Sequence, residues 1–214
     1  MDYDNLESMD VSLVGEHVTQ LIDGKTIMAP IYNFTNGYRE EVGNEFVLPE
    51  NGILVLEGIH ALNPEYTAGV DQKAVFRVYI SPLTGLLVDD FNAVKTTNHR
   101  CLRRLCRDSK FRGYTAKRVL QMWPKVRNGE HLYIFPHQNN ADYVMNSAAE
   151  YELPVLKTYV YPLLKAVQPS PDPLYTQTDE LLTLLDYFAP WPNSSVPAAA
   201  LIREFIGDGS FDCH

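Results

Sequence analysis

Arginines at positions 100, 103, 104 and 107 recur at i, i+3, i+4, i+7, a spacing that gathers them on one face of a helix, and Lys110 and Arg112 follow before a bend at Gly113. Guanidinium forks bind phosphate oxygens bidentately and can neutralise charge that develops during phosphoryl transfer. No glutamate is interleaved among them, so the like charges repel along the face. Ten of the eighteen Lys and Arg residues fall between Arg100 and Arg127, opposed there only by Asp108. The stretch carries +9 in a chain of net charge −9, which leaves −18 elsewhere. Two readings stand: a stripe that holds an anion, or a solvated face paired with acids from the rest of the chain.

Gly24-Lys25-Thr26 looks like the end of a phosphate-binding loop, but the GxxxxGK[ST] pattern needs glycine where Thr19 stands. That motif also lies between a strand and a following helix. Here a helical pattern precedes it, and Met28-Ala29-Pro30 cannot open a helix, so the segment is read as no phosphate site.

The elements around the arginines follow from periodicity. Val11, Val14, Val18, Leu21 and Ile22 predict a helix with Asp10 as N-cap and Gly24 just past its end. Pro30 to Phe34 reads as extended, with a turn at Asn36-Gly37. The continuous apolar run Ile53 to Leu56 predicts a strand buried on both faces, ending at Glu57-Gly58, the edge where α/β proteins place ligands. Ala74 to Ile80 and Ala141 to Met145 are further strand candidates, and helical patterns lie near 97–108 and 115–128. That alternation predicts an α/β fold. From Gln168 the chain reads as a Pro-rich linker, a helix from about Thr178 to Phe188, and a short helix around Leu201 to Ile206. The expected division is a core over 1–167 and a helical tail over 168–214.

With 214 residues, 45% of them hydrophobic, the chain can bury a real core. No run approaches the ~20 apolar residues of a membrane span, and the acidic start Met1-Asp2-Tyr3-Asp4 lacks a secretory signal's order. Cys101, Cys106 and Cys213 are odd in number and without metal-type spacing, which predicts reduced thiols in a cytoplasmic protein. A pI near 5.1 disfavours general nucleic-acid binding, while one cationic patch suits a small phosphorylated molecule.

Several segments, in order, resemble the uridine kinase and phosphoribulokinase family of P-loop kinases. They are Tyr3 to Asp10; Pro30-Ile31-Tyr32-Asn33-Phe34, with asparagine for the family's aspartate; Val55-Leu56-Glu57-Gly58-Ile59; Arg103-Arg104-Leu105-Cys106-Arg107-Asp108 with Phe111-Arg112-Gly113; and Ile134-Phe135-Pro136 with Asn140-Ala141-Asp142. Leu201 to Gly207, together with Trp123-Pro124 and Arg127 to Glu130, looks like a uridine-kinase-like branch. The resemblance implies a parallel sheet flanked by helices with an arginine-rich lid helix, and a kinase that moves the ATP γ-phosphoryl group to the 5′-hydroxyl of a pyrimidine nucleoside with Mg²⁺.

It implies that Asp4 binds ribose hydroxyls, Tyr32 and Phe34 pack against the base, and Arg104 touches the substrate. Arg107 and Arg112 would reach the ATP phosphates, and Glu57 would sit near the magnesium. Homo-oligomerisation is implied by the resemblance as well. Gly37 and Tyr114 replace a base-side histidine and a second lid arginine of the family. The first strand, the phosphate loop with its lysine, and the downstream aspartate base of the family have no match in these 214 residues, and the expectation is that this polypeptide alone is inactive. A sugar-phosphate-type kinase of the same fold, and a non-catalytic nucleotide- or RNA-binding module, remain open.

Overall fold

Helix α1 (Val11–Ile22) forms where the apolar spacing places it, and its ends are local chemistry. The Asp10 carboxylate accepts from the Leu13 amide at 3.1 Å, satisfying one of the free N–H groups of the first turn. Gly24 follows in the left-handed region at φ +74, which a glycine adopts without cost. The computed structural model describes residues 6, 9–33, 38–40, 42–169 and 173–211. Two compact units divide it: residues 1–79 with 128–143, and residues 80–127 with 144–214.

In the first unit, α1 packs on a 3₁₀ turn at Pro64–Thr67, whose Tyr66 is buried and donates its hydroxyl to Met9 Sδ at 3.4 Å. Strand β1 (Ile27–Ala29) follows and carries the buried Ile27. Two short antiparallel pairs follow from the same stretch. Strand β2 (Tyr32–Asn33) joins β3 (Tyr38–Arg39), and β1 joins β4 (Asn44–Phe46) in the register Ile27 to Phe46. Gly43 is required beside that pair, since a Cβ there would meet the Ala29 carbonyl oxygen at 2.4 Å.

The run Ile53 to Leu56 is not the buried strand its composition predicts. It has no strand assignment, and Ile53 and Val55 are 87% and 80% exposed. An apolar run becomes a central strand only when partners pair on both sides, and among the described residues none pairs with it. Of the other two strand candidates, the first begins as a 3₁₀ turn at Gln72–Ala74 and becomes β5 (Val78–Ser81), and the second becomes β6 (Tyr143–Asn146). These two pair, and the bonds from Tyr143 N to Arg77 O and from Ser147 N to Ser81 O advance together, so the pair is parallel. Helices with a parallel strand pair agree with the α/β expectation.

The second unit holds most of the buried apolar side chains. Helices α2 (Thr96–Arg112), α3 (Ala116–Gly129), α4 (Glu152–Lys165), α5 (Pro173–Asp186) and α6 (Arg203–Ile206) supply Leu102, Leu105, Leu120, Leu156, Leu164, Leu185 and Ile206, all fully enclosed. Each such side chain contributes about 1.5–3 kcal/mol relative to exposure. Cys101 and Cys106 are both buried. Here α5 and α6 lie in one unit with α2 and α4. Among the described residues no helix is long and apolar enough to cross a membrane.

Candidate functional site

Helix α2 carries the arginines, and two features of sequence build it. Leu102 and Leu105 bury one face, and Gly113 closes the helix at φ +65 with its amide donating to the Asp108 carbonyl. A glycine in this left-handed position is the commonest helix stop.

The four arginines expected to share one outward face divide instead. Arg103 turns inward beside His99, one turn earlier, and is 6% exposed. Its Nε donates to Glu152 Oε2 at 2.8 Å and its Nη2 to Oε1 at 2.7 Å, while Nη2 also donates to the Ser147 carbonyl at 2.7 Å. His99 Nε2 meets the same Glu152 Oε2 at 2.7 Å. Burial pushes the Glu152 carboxyl up, but the His99 hydrogen bond and the Arg103 guanidinium outweigh it and hold the group below the usual glutamate value. This cluster ties α2 to the start of α4, and the side chains of His99, Arg103 and Glu152 in it are buried.

Arg104 and Arg107, joined by Arg112, gather on Asp108, whose side chain is enclosed. Arg104 Nε donates to Oδ2 at 3.2 Å, Arg112 Nη1 donates to Oδ1 at 2.9 Å, and Arg107 Nε lies 3.7 Å from Oδ1. Arg107 also donates Nη1 to Glu204 Oε1 at 3.2 Å. Arg104 and Arg112 stand one turn on either side of Asp108, so the i, i+4 geometry of a helix brings both to it. The result is three cations around one carboxylate, with the Arg112 side chain half exposed and Arg107 a quarter exposed. Forked donors fixed in this way suit several oxygens of a polyphosphate.

The remaining expected site residues fall elsewhere. Asp4 and Phe34 lie outside the described residues. Tyr32 is on β2, 41% exposed, paired in register with Arg39. Glu57 is exposed in the segment after Leu56. Among the described residues no group of three or more His, Cys, Asp or Glu forms a metal cage. Gly24-Lys25-Thr26 lies between α1 and β1, with Lys25 paired to Asp23 at 3.2 Å, so a helix precedes it and no helix follows, as the sequence implies.

Sequence reasoning passed over Asp108, Glu152, Ser147, His99 and Glu204 as partners. Asp108 had a signal, its i±4 relation to Arg104 and Arg112. Glu152 and Glu204, 49 and 97 residues from the arginines they hold, had none.

Comparison with known proteins gives two results. The model of the Phosphoribulokinase / Uridine kinase family matches residues 1–154. A uridine kinase of Vibrio vulnificus is 29% identical over 168 residues, covering 77% of this chain and 70% of its own length. A uridine kinase of Halalkalibacterium halodurans is 28% identical over 146 residues, covering 67% and 60%, and one of Lactobacillus johnsonii is 26% identical over 171 residues, covering 78% and 72%.

Proposed function

The chain belongs to the phosphoribulokinase/uridine kinase family, and on that premise we propose that it serves a uridine kinase-like reaction, transfer of the ATP γ-phosphoryl group to the 5′-hydroxyl of a pyrimidine nucleoside. The observation that carries this reading is the convergence of Arg104, Arg107 and Arg112 on Asp108. In it, α2 is the lid helix of the family's P-loop α/β fold. Arg107 and Arg112 take phosphate oxygens of ATP, and Arg104 takes the substrate side. Their fixed positive charge offsets the negative charge that spreads over the transferring group.

Asp4 holds the ribose hydroxyls, and Tyr32 with Phe34 faces the base. Magnesium, when bound, would supply neutralisation of the phosphate charge, with Glu57 as the residue that would hold it. Glu57 is a single exposed carboxylate, which fits an ion that keeps several waters and takes one or two protein oxygens beside the phosphates. The buried Cys101 and Cys106, without metal-type spacing, suit a cytoplasmic setting.

No GxxxxGK[ST] stands in the 214 residues, and positioning of the β- and γ-phosphates is most of phosphoryl-transfer catalysis. The 214-residue chain by itself therefore binds polyphosphate without turnover. The test is incubation of this chain with MgATP and a panel of uridine, cytidine and a sugar phosphate, with ATP binding followed in parallel. Binding that Arg112→Gln weakens, with no uridine monophosphate, is the expected result. Nucleoside monophosphate formed by this chain overturns the inactivity, and phosphorylation of the sugar phosphate alone moves the acceptor class.

A further inference from the structure

The last described segment of the second unit is seated on the arginine helix. Ile202 and Ile206 are enclosed, and the Phe205 ring lies beneath the guanidinium groups of Arg103 at 5.0 Å and Arg107 at 5.8 Å from its centroid. Cys106 Sγ donates to the Phe205 carbonyl at 3.4 Å, and Lys110 Nζ donates to the Ile206 carbonyl. Arg203 fixes the turn from behind, donating to the carbonyls of Asn193 at 3.1 Å and Gly207 at 3.2 Å. Glu204 therefore stands on a backbone held on both sides, and its carboxylate is delivered to Arg107 at 3.2 Å.

That carboxylate differs from the other acids of the site. Asp108 and Glu152 are enclosed, whereas the Glu204 side chain is 38% exposed and can leave into water. The Arg107 side chain is itself a quarter exposed, and the Nη1 that Glu204 occupies is the group another anion would take. Glu204 adds a second carboxylate to the one that Arg104, Arg107 and Arg112 share at Asp108. We propose that Glu204 is a resident counter-ion of the arginine site, which occupies Arg107 until a polyphosphate takes its place, so that the docked C-terminal segment sets the affinity of the site. This rests on the reading of Arg104, Arg107 and Arg112 as a phosphate site.

The segment itself stays docked when ligand arrives, because Ile202, Phe205 and Ile206 are held by burial and not by the ion pair. Only the Glu204 side chain moves. Being tethered, it competes at high local concentration, and its effect is greatest at low salt.

The experiment is titration calorimetry of the 214-residue chain with inorganic tripolyphosphate, for the wild type, Glu204→Gln, Arg107→Gln and the double variant. Glu204→Gln binds about two- to five-fold more tightly, the range a partly exposed ion pair supplies, and the gain vanishes in the Arg107→Gln background. Hydrogen exchange at the Ile206 and Gly207 amides shows whether the segment remains docked in Glu204→Gln. In the wild type, the Glu204 side-chain carboxyl ¹³C resonance shifts on saturation with tripolyphosphate, a readout that needs no substitution.

Equal or weaker binding by Glu204→Gln, a gain that persists without Arg107, or an unmoved Glu204 resonance overturns the inference while arginine-dependent binding stands. If neither the wild type nor Glu204→Gln binds tripolyphosphate in a manner that Arg112→Gln weakens, the phosphate-site reading fails and this inference with it.

Discussion

Arg103 and Glu152 form an enclosed two-point pair, Nε to Oε2 at 2.8 Å and Nη2 to Oε1 at 2.7 Å, joining α2 to the first turn of α4. Charges removed from water this completely add little stability as a pair, but a single survivor is costly. Glu152→Ala therefore destabilises the second unit by about 3–5 kcal/mol, the cost of leaving one buried charge unpaired. Arg103→Met combined with Glu152→Leu recovers much of that loss. Urea denaturation of the three proteins checks both statements, and a Glu152→Ala midpoint close to wild type would show that water or a neighbour replaces the partner.

The same carboxyl gives a pH dependence. Its folded-state pKa lies below the ordinary glutamate value, because burial, which raises it, is outweighed by the His99 hydrogen bond and the Arg103 guanidinium. A depressed carboxyl contributes stability that is fully present above its unfolded pKa and is lost as pH falls through the folded one. Unfolding free energy should thus decline on acidification below about pH 4.5. Glu152→Gln should flatten that decline between pH 6 and 3, as read by denaturant titrations at each pH. An unchanged slope in Glu152→Gln would assign the acid sensitivity to other carboxylates.

What was legible in sequence was local. The capping Asp10, the apolar spacing of α1 and the stop at Gly24 all act within a few residues, and the helix appears with the expected bounds. The helix α2 was legible for the same reason, but the destinations of its arginines were not. Spacing states which side chains share a face, and Arg103 is turned inward by an acid 49 residues away. The run Ile53 to Leu56 shows the converse, since composition marks a strand only when pairing partners exist, and pairing is non-local. Strands of two or three residues such as β2 and β3 carry too short a pattern to read at all. Arg104, Arg107 and Arg112 were legible as a cationic cluster, whereas their gathering on Asp108 needed the helix geometry.

Asp108 is the shared acceptor of Arg104 and Arg112, with Arg107 close by. Asp108→Asn keeps the volume but removes the charge, leaving three cations to repel across a part-enclosed site. A loss of about 1–3 kcal/mol is expected, in the range for a hydrogen-bonded charged group. Thermal or urea unfolding reads it. A variant as stable as the wild type would mean that the arginines are held by solvent and not by Asp108.

Gly113 sits at φ +65, and a Cβ built there meets nothing within 4 Å. Gly113→Ala therefore tests backbone conformation alone. It should cost about 1–2 kcal/mol, with Gly113→Asn less harmful because asparagine tolerates the left-handed region better. Comparing the two unfolding midpoints separates strain from crowding, and equal loss in both would point to contacts absent from this geometry.

Cys106 provides a chemical prediction. Burial pushes its thiol up to about 12, although Lys110 pulls the other way, and its Sγ donates to the Phe205 carbonyl. The thiolate is the reacting form, so at pH 7.5 the population available for alkylation is vanishingly small. Native protein treated with iodoacetamide should leave Cys106 unmodified in residue-resolved mass spectrometry, and the same residue should react once the chain is unfolded in urea. Because the docked segment carrying Phe205 covers this thiol, truncation of the chain before Leu201 should raise its labelling rate. Rapid labelling of Cys106 in the intact native chain would show that the segment leaves α2 on the timescale of the reaction, and would replace a fixed cover by one that opens.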